Sequence, residues 1–539
     1  MRRTFRITSG KLIIGSAVFL TLFCNFRFFK NTTDSYPLVG NNIPFLCSLA
    51  LVLACLTVAA LSLICTRHTI KPVLIGLLAV SSIAAYFMDT YNIFIDRDMA
   101  RNIMATDVNE TLDLISLRLI VYFVFLGLLP SVLIYKTSIV RGTLVTELLQ
   151  KTGRTVVSLM MIVCLLLIFS RFYTSFFRSN RELRFYANPI AWVAATAALI
   201  PITAFAHTGE ITPVGTDAVK ATDATGRRLI ILVVGEAVRA DRLSLNGYSR
   251  ETTPLLEKED IVSFTNLYSC GTSTVISVPC MFSSFGRKDF TRRKGDTTEN
   301  LLDILARAGV HILWRDNNSS SKGVALRVPY EDFRHPDKNP ACDDRGCHDE
   351  GMLSGLQEYI KNQKEGDILI ILHQLGNHGP AYYKRYPHAF EIFTPVCRTN
   401  QVEECTVEEI GNAYDNCILY MDYFLSNVIG LLKRNAPEFE TAMIYISDHG
   451  ESLGENGIYL HGLPYAIAPD EQKHVASLMW FSDNFKINKA DLRQKSSDAL
   501  SHDYLFHTVL GLMRITTAAY NRDLDIVNKD RQFSLMTKW

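Results

Sequence analysis

The segment Ala442-Met443-Ile444-Tyr445-Ile446-Ser447-Asp448-His449-Gly450-Glu451 begins with a short apolar run and ends with ionisable residues. The apolar run contains β-branched and aromatic side chains, which predicts a buried strand. An open α/β sheet binds its ligands beyond the carboxyl ends of its strands, where Asp448 and His449 would lie. A carboxylate beside an imidazole suits zinc, although such a pair alone is also found in ordinary polar turns.

Four more apolar runs predict further strands in the same part of the chain. Segments with helical periodicity lie between them, and this alternation predicts a mostly parallel sheet that is covered by helices on both faces. The additional runs are residues 229–234, 310–314, 368–372 and 476–481, and the clearest helical patterns are residues 301–308 and 410–432.

Ionisable side chains follow three of the predicted strands. Glu236 follows the first strand, His373 ends the strand at 368–372 with His378 in the turn after it, and His461 lies in a Gly-rich loop beyond His449. Because the carboxyl ends of parallel strands meet at one edge of a sheet, these groups are expected to converge with Asp448. The set predicts a metal-dependent site.

The hydroxyl-rich loop Cys270-Gly271-Thr272-Ser273-Thr274 supplies the candidate nucleophile. A hydroxyl is a poor nucleophile at neutral pH, and coordination to zinc would lower its pKa. A helix that starts just after Thr274 would add a favourable dipole, although Pro279 indicates an irregular first turn. The composition by itself is equally that of a Ser/Thr-rich turn, and it leaves three hydroxyls as candidates.

Cysteines outside the apolar first third of the chain are arranged in close pairs. Close, polar-flanked pairs predict local disulfides and therefore an oxidising compartment. Cys417 is left over and is predicted to be a buried thiol on a helix. The pairs are Cys270 with Cys280, Cys342 with Cys347, and Cys397 with Cys405.

The first third of the 539-residue chain is crowded with long apolar runs, and hydrophobic residues make up 48% of the whole. Five of these runs are near the length that a bilayer core requires. Lys and Arg concentrate before the first run, between the second and third, and between the fourth and fifth. This bias predicts a cytoplasmic amino terminus and an external carboxyl-terminal part. The predicted spans are residues 12–29, 43–65, 70–87, 117–135 and 155–172.

A further apolar stretch, residues 190–206, is short and is interrupted by Pro201. It is predicted to be an interfacial or bundle-packed helix rather than a sixth span. The predicted organisation is a transmembrane domain over 1–206, a linker over 207–228 that is rich in Thr, Gly, Ala and Asp, and a periplasmic domain over 229–539. The formal net charge of +1 gives no indication of nucleic-acid binding.

Six motifs carry a resemblance to a known family: Val234-Gly235-Glu236, Ser269-Cys270-Gly271-Thr272-Ser273-Thr274, Ser277-Val278-Pro279-Cys280-Met281-Phe282, Trp314-Arg315-Asp316-Asn317-Asn318, Gly376-Asn377-His378-Gly379-Pro380 and Ser447-Asp448-His449-Gly450-Glu451. Nearly end to end, the chain resembles the lipid A phosphoethanolamine transferases, including the mobile colistin-resistance type. The resemblance implies five spans, a linker and an α/β/α domain like those of alkaline phosphatase and the sulfatases. Ala237-Val238-Arg239 departs from the usual Thr-Ala-Arg, with no expected consequence for metal binding.

The resemblance also implies a role for each site residue. Thr274 is the nucleophile, and zinc is bound by Glu236, Thr274, Asp448 and His449. His378 and His461 act on the substrate side, where they hold phosphate, protonate the leaving group or bind a second zinc ion. Asn318, Lys322 and Glu451 match positions that contact the phosphoethanolamine group. The family's disulfides are the same three pairs: Cys270–Cys280, Cys342–Cys347 and Cys397–Cys405.

The implied reaction transfers phosphoethanolamine from phosphatidylethanolamine to a phosphate group of lipid A through a zinc-assisted phospho-threonine intermediate. Capping these phosphates with a cation lowers the negative surface charge, which gives resistance to cationic peptides such as polymyxin and colistin. The implied location is the inner membrane of a Gram-negative bacterium, with the catalytic domain in the periplasm. A monomer without a nucleic-acid partner is expected.

Two related activities remain open. One is a metal-dependent phosphodiesterase or sulfatase of the same superfamily, and the other is a phosphoethanolamine transferase that acts on another lipopolysaccharide acceptor. A sulfatase needs its Cys or Ser in a Cys-x-Pro-x-Arg setting, and Cys280-Met281-Phe282-Ser283-Ser284 lacks both the Pro and the Arg. A non-catalytic membrane sensor is disfavoured by the complete ligand set.

Overall fold

The computed structural model describes residues 6–93, 95–105, 111–112, 114–140, 142–179, 181–197, 211–221 and 226–528. The chain forms two compact units, which are described separately. The first consists of Met1–Arg101 and Ile115–Ile200, and the second consists of Asn102–Leu114 and Pro201–Trp539.

Apolar helices make up the first unit. Among the described residues, four helices are each long and apolar enough to cross a membrane: Asn42–Ile64, Ile70–Tyr91, Leu117–Lys136 and Leu144–Ile168. A fifth span results if Ser9–Phe23 and Phe26–Ser35, which are bent by 56° relative to one another, are counted as one. The predicted span at 155–172 therefore begins earlier, at Leu144, and a separate helix over Ser170–Ser179 follows it.

The bend in the first span corrects the prediction of one uninterrupted helix over 12–29. The Asn25 side-chain amide donates to the Leu20 carbonyl at 2.9 Å and to the Asn188 carbonyl at 2.7 Å. In return, Asn25 Oδ1 accepts a hydrogen bond from the Asn188 amide at 2.9 Å. A buried polar side chain in an apolar bundle requires such partners. The Asn25 side chain therefore joins the end of the helix Ser9–Phe23 to the segment at Asn188, at the point where the span bends.

Part of the predicted helix over 190–206 is described, as Ile190–Ala197. Ala191 and Ala195 are buried, and Trp192 Nε1 donates to Ser81 Oγ at 3.2 Å, so this part packs against the bundle. Residues 198–206 lie outside the described part of the chain, as do residues 207–210 and 222–225 of the predicted linker.

A seven-stranded sheet organises the second unit. Its strands are β1 (Arg227–Gly235), β2 (Ile261–Ser263), β3 (His311–Asp316), β4 (Tyr330–Asp332), β5 (Ile368–His373), β6 (Phe439–Ser447) and β7 (Ser477–Phe481). They lie in the order β2-β7-β6-β1-β5-β3-β4. The pairs from β6 to β4 are parallel, whereas β7 is antiparallel to both of its neighbours. The mostly parallel sheet predicted from the sequence is confirmed, and the run at 476–481 supplies the antiparallel strand.

Helices cover this sheet. The longest, Val407–Asn435, begins with a capping box between Thr406 and Glu409 and contacts β6. Such a box satisfies amides that have no partner inside the helix. Alternate residues of β1 pack with helices Leu301–Arg307 and Leu505–Leu512 in the hydrophobic core. Four shorter α-helices are also described in this unit: Thr274–Met281, Arg292–Thr297, Leu356–Asn362 and Lys489–Gln494.

Three disulfides stabilise the loops of the second unit. They join Cys270 to Cys280, Cys342 to Cys347, and Cys397 to Cys405. Cys417 is a buried free thiol on the helix Val407–Asn435, as the sequence predicts. The first disulfide fixes the hydroxyl-rich loop to the helix Thr274–Met281, which we call the nucleophile helix.

Candidate metal centre and active site

The parallel strands bring the predicted ionisable residues to one edge of the sheet. Glu236 directly follows β1, and Asp448 and His449 directly follow its neighbour β6. All three side chains are fully buried. A metal ion would be within reach of one ligand atom from each, because these atoms lie within 4.8 Å of one another.

Of the three candidate hydroxyls, the structure places Thr274 in this cluster. Thr274 is the first residue of the nucleophile helix, and its Oγ1 donates to Glu236 Oε2 at 3.0 Å. The same oxygen lies 3.3 Å from His449 Nε2. Thr272 is engaged elsewhere, since its Oγ1 donates to the Leu463 carbonyl at 2.5 Å. Pro279 lies inside the helix without preventing it from starting at Thr274.

The hydrogen bonds around this cluster leave one atom of each residue, Glu236 Oε1, Asp448 Oδ2 and His449 Nε2, available to bind a metal ion. His449 Nδ1 lies 2.8 Å from the Gly450 carbonyl, so Nδ1 carries a proton, and with a metal ion bound the Nε2 lone pair would face that ion. Asp448 Oδ1 accepts from the Ala237 and His449 amides. Glu236 Oε1 and Asp448 Oδ2 lie 3.1 and 3.4 Å from His449 Nε2, and neither receives a well-oriented hydrogen bond. Buried carboxylates in this state, with an imidazole nitrogen, fit the donor set of zinc.

The electrostatics of the cluster favour a cation at its centre. Burial by itself lowers the pKa of His449, but the Asp448 and Glu236 carboxylates raise it to about 10. Burial raises the pKa of Asp448 to about 6, and the Glu236 charge adds to this rise. For Glu236, burial is outweighed by the His449 imidazole, which holds the carboxyl pKa well below its ordinary value. The two carboxylates, Glu236 and Asp448, concentrate negative charge here, and a proton on His449 or a metal ion balances it.

Gly235 shows how tightly β1 presents Glu236. A Cβ at this position would lie 2.2 Å from the hydroxyl oxygen of Tyr445, a side chain with no exposed surface. We expect Gly235→Ala to destabilise the protein by about 1–3 kcal/mol, because a buried ring must move. Thermal unfolding of the full chain in detergent measures this. Gly153→Ala, whose Cβ would meet nothing within 4 Å, is the control for an added methyl group that displaces no neighbour, and it should not lower the melting temperature. An unchanged melting temperature for Gly235→Ala would show that Tyr445 moves aside freely.

The two histidines predicted on the substrate side, His378 and His461, lie next to the cluster of Glu236, Asp448 and His449. Ligand atoms of His378, His461 and Glu236 form a second group whose members lie within 4.8 Å of one another. The His461 ring lies 4.1 Å from the His449 ring, between centroids, and 5.8 Å from that of His378. Glu451 is fully buried and its Oε1 lies 3.2 Å from His461 Nδ1. Burial raises the pKa of Glu451 to about 8.

Asn318 and Lys322 follow β3 on the other side of Glu236. The Asn318 amide donates to Glu236 Oε2 and to the Gln374 carbonyl, both at 2.9 Å. Lys322 is nearly buried and its ammonium donates to Ser319 Oγ. Asn318 is therefore bonded directly to Glu236. Lys322 is linked to the same residues through Ser319, whose Oγ donates to Asn318 Oδ1 at 3.0 Å.

Some residues around the site were not identified from the sequence. Ser277 Oγ donates to the Asp448 carbonyl at 2.5 Å and links the nucleophile helix to the turn that carries Asp448 and His449. Ser277 belongs to a recognised motif, so its spacing from Thr274 could have drawn attention to it. His373, which the sequence placed among the strand-end groups, is fully buried and bonded to Asp316 Oδ2 at 3.0 Å, outside the two ligand groups described above.

Family models match both parts of the chain. The model described as "Sulfatase" matches residues 228–515. The model described as "Phosphoethanolamine transferase EptA/EptB" matches residues 53–202. The first covers the α/β unit that carries the site, and the second covers most of the apolar helices.

Individual relatives match over almost the whole length. The chain is 41% identical to the phosphatidylethanolamine transferase Mcr-2 of Escherichia coli, over 93% of this chain and 94% of the relative. It is 37% identical to the phosphoethanolamine transferase EptA of Escherichia coli K12, over 96% of each. The solved structure of the integral membrane lipooligosaccharide phosphoethanolamine transferase A (EptA) from Neisseria meningitidis superposes with a TM-score of 0.92 at 35% identity, covering 97% of this chain and 99% of that one. On this evidence the chain belongs to the phosphoethanolamine transferase family.

Proposed function

We propose that this protein transfers phosphoethanolamine from phosphatidylethanolamine to a phosphate group of lipid A, through a phospho-threonine intermediate at Thr274. The observation that carries the proposal is the position of the Thr274 hydroxyl, which is bonded to Glu236 and faces His449. The names of the relatives support the two substrates, since one is a phosphatidylethanolamine transferase and another acts on lipooligosaccharide. A sulfatase-type nucleophile is disfavoured because Cys280 is held in a disulfide.

Glu236, Thr274, Asp448 and His449 would hold one zinc ion, and His378 with His461 and Glu236 would be the site of a second. When bound, zinc supplies positive charge that lowers the pKa of the hydroxyl and neutralises charge developing on the phosphoryl oxygens. The remaining steps are performed by the chain itself.

In the first step the Thr274 oxygen attacks the phosphorus of the donor. Glu236 Oε2 already accepts a hydrogen bond from the Thr274 hydroxyl at 3.0 Å, so it is placed to take the proton as the bond to phosphorus forms. The bond to diacylglycerol breaks, and its oxygen takes a proton from a histidine on the substrate side. With one zinc ion bound, His461 suits this role because its ring lies 4.1 Å from that of His449 and its Nδ1 lies 3.2 Å from Glu451 Oε1.

In the second step an oxygen of the acceptor phosphate attacks the phosphorus of phospho-Thr274. The bond between phosphorus and the threonine oxygen breaks, and that oxygen recovers its proton from Glu236. The acceptor phosphate is already ionised at neutral pH, so this step needs no further base. Asn318 and Lys322 would contact the transferred group, with Lys322 as a point charge near its phosphate.

Glu451 would select the head group by pairing with the ethanolamine ammonium. Burial raises the pKa of Glu451 to about 8, and the ammonium charge would favour the ionised form of this carboxyl. We expect Glu451→Gln to reduce the preference for phosphatidylethanolamine over phosphatidylglycerol by about 10- to 100-fold, because a charge-assisted hydrogen bond in a buried site is lost. The measurement is kcat/KM for each donor in mixed micelles. Glu408→Gln, an exposed carboxylate at the start of a helix, is the control. If the preference of Glu451→Gln matches the native one, another group selects the donor.

The two parts of the chain would lie in different cellular compartments. Residues 1–206 would anchor it in the inner membrane of a Gram-negative bacterium, and residues 229–539 would act in the periplasm as a monomer, joined through the linker at 207–228. Both substrates are lipids, which explains why the catalytic unit is attached to apolar helices. Capping of lipid A phosphates would weaken the binding of cationic peptides such as polymyxin.

Mass spectrometry of lipid A tests the proposal directly. A Gram-negative host that expresses the native chain should gain a phosphoethanolamine increment on lipid A, and an empty-vector host should not. A lower susceptibility to colistin should accompany the increment. The absence of any increment with folded, zinc-loaded protein in the membrane would overturn the proposal and indicate a different acceptor or a hydrolase.

A further inference from the structure

The side chain of His502 joins two segments of the chain that carry site residues, and it does so through both of its ring nitrogens. It follows the short strand Leu500–Ser501 and has no exposed surface. Its Nδ1 accepts a hydrogen bond from the Cys270 amide at 3.1 Å, and its Nε2 lies 2.9 Å from the Ser447 carbonyl. Because an amide only donates and a carbonyl only accepts, the imidazole is neutral and carries its proton on Nε2.

Each of these two partners leads directly to a residue of the site. Cys270 begins the hydroxyl-rich loop and is joined by its disulfide to Cys280 in the nucleophile helix. Ser447 is the last residue of β6 and directly precedes Asp448. A single imidazole therefore connects the loop that carries the nucleophile to the turn that carries two of the predicted metal ligands.

Both nitrogens of His502 are occupied by backbone partners, so the residue has no atom left for substrate, metal or proton transfer. Its effect on the reaction must be indirect, through the positions of Cys270 and Ser447. The Thr274 hydroxyl lies 3.3 Å from His449, and this short separation depends on how the two segments are held. Misplacement of reacting groups by about 1 Å can lower a rate by about 10²-fold.

We propose that His502 is a positioning residue of the transfer reaction, which sets the separation between the Thr274 hydroxyl and the Asp448–His449 turn. The inference rests on the proposed function of Thr274 as nucleophile. It assigns a role in the chemistry to a residue that lies far from the recognised motifs in the sequence and that touches no reacting group.

Two substitutions separate the two hydrogen bonds. The side-chain oxygen of His502→Asn reaches the position of Nδ1 and can accept from Cys270, but the bond to Ser447 is lost. The longer amide of His502→Gln reaches the position of Nε2 and can donate to Ser447, but the acceptor for Cys270 is lost. We expect both full-length variants to fold and to retain zinc, with kcat for diacylglycerol release lowered by about 10- to 100-fold and KM for phosphatidylethanolamine little changed.

His507 provides a matched control in the same part of the chain. It is also buried, and its Nδ1 accepts from the Asn521 amide at 3.1 Å. His507→Asn and His507→Gln should lower the melting temperature by an amount similar to that of the His502 variants while leaving kcat unchanged. A fall in kcat that is specific to the His502 variants, with an equal fall in the rate at which the phosphoethanolamine adduct on Thr274 forms in a single turnover, supports the positioning role.

Native kcat in a folded His502 variant would overturn the inference, and so would losses of kcat that are equal in the His502 and His507 variants. If one His502 variant does not fold, the other still decides. The proposed function fails separately: in that case the native chain releases no diacylglycerol, or Thr274→Ala releases it at the native rate.

Discussion

Thr274→Ala is expected to reduce diacylglycerol release from phosphatidylethanolamine by at least about 10³-fold and to abolish the phosphoethanolamine adduct on the protein. The reason is that the attacking oxygen is removed, and among the hydrogen bonds described for Glu236, that from Thr274 is the one donated by a hydroxyl. The Thr272 hydroxyl donates a hydrogen bond to the Leu463 carbonyl instead of to Glu236. Steady-state rates with a fluorescent donor, and peptide mass spectrometry after a single turnover, measure the two effects.

The fold should survive this substitution. Thr274 is a small side chain in the first turn of the nucleophile helix, and Glu236 Oε2 keeps its hydrogen bond from Asn318 when the threonine hydroxyl is absent. A native-like melting temperature is therefore expected for Thr274→Ala. Zinc binding should weaken, because one of the four predicted ligands is lost, but Glu236, Asp448 and His449 remain to hold the ion at saturating zinc. Thr274→Ser, which restores a hydroxyl, should recover part of the rate.

Thr272→Ala and Ser273→Ala are the matched controls, since each removes one hydroxyl from the same loop. We expect both to keep most of the transfer rate, because neither oxygen is bonded to Glu236. Transfer by Thr274→Ala at the native rate would contradict the assignment, and the loop variant that then lost activity would identify the true nucleophile.

The sequence predicted the sheet and the convergence of the site because both follow from local patterns. Apolar runs with polar ends specify strands, and parallel strands bring Glu236, Asp448 and His449 to one edge. It did not predict the bend at Asn25, whose partner Asn188 is 163 residues away. His502 escaped detection for the same reason, since its bonds to Cys270 and Ser447 span 232 and 55 residues. Hydrogen bonds between residues so far apart in the chain follow no periodicity or characteristic spacing, so a single sequence does not reveal them.

Glu236→Gln is expected to weaken zinc binding by more than about 100-fold and to abolish transfer. Glu236 bonds to Thr274 through one oxygen and approaches His449 Nε2 through the other, so it links the nucleophile to the predicted metal ligands. An amide keeps the shape of the side chain but removes its negative charge, which attracts the cation and accepts the hydroxyl proton. Zinc content after dialysis and diacylglycerol release at saturating zinc measure the two losses.

A chelator experiment separates the metal from the carboxylate. Native protein stripped of zinc should lose activity and regain it when zinc is added back, whereas Glu236→Gln should stay inactive under both conditions. Asp422→Asn is the control for neutralising a buried carboxylate, because Asp422 is 1% exposed and accepts the Leu255 and Leu256 amides away from the site. It should lower stability without changing zinc content. Zinc retention and transfer by Glu236→Gln at native levels would show that Asp448 and His449 suffice, and that a group other than Glu236 accepts the threonine proton.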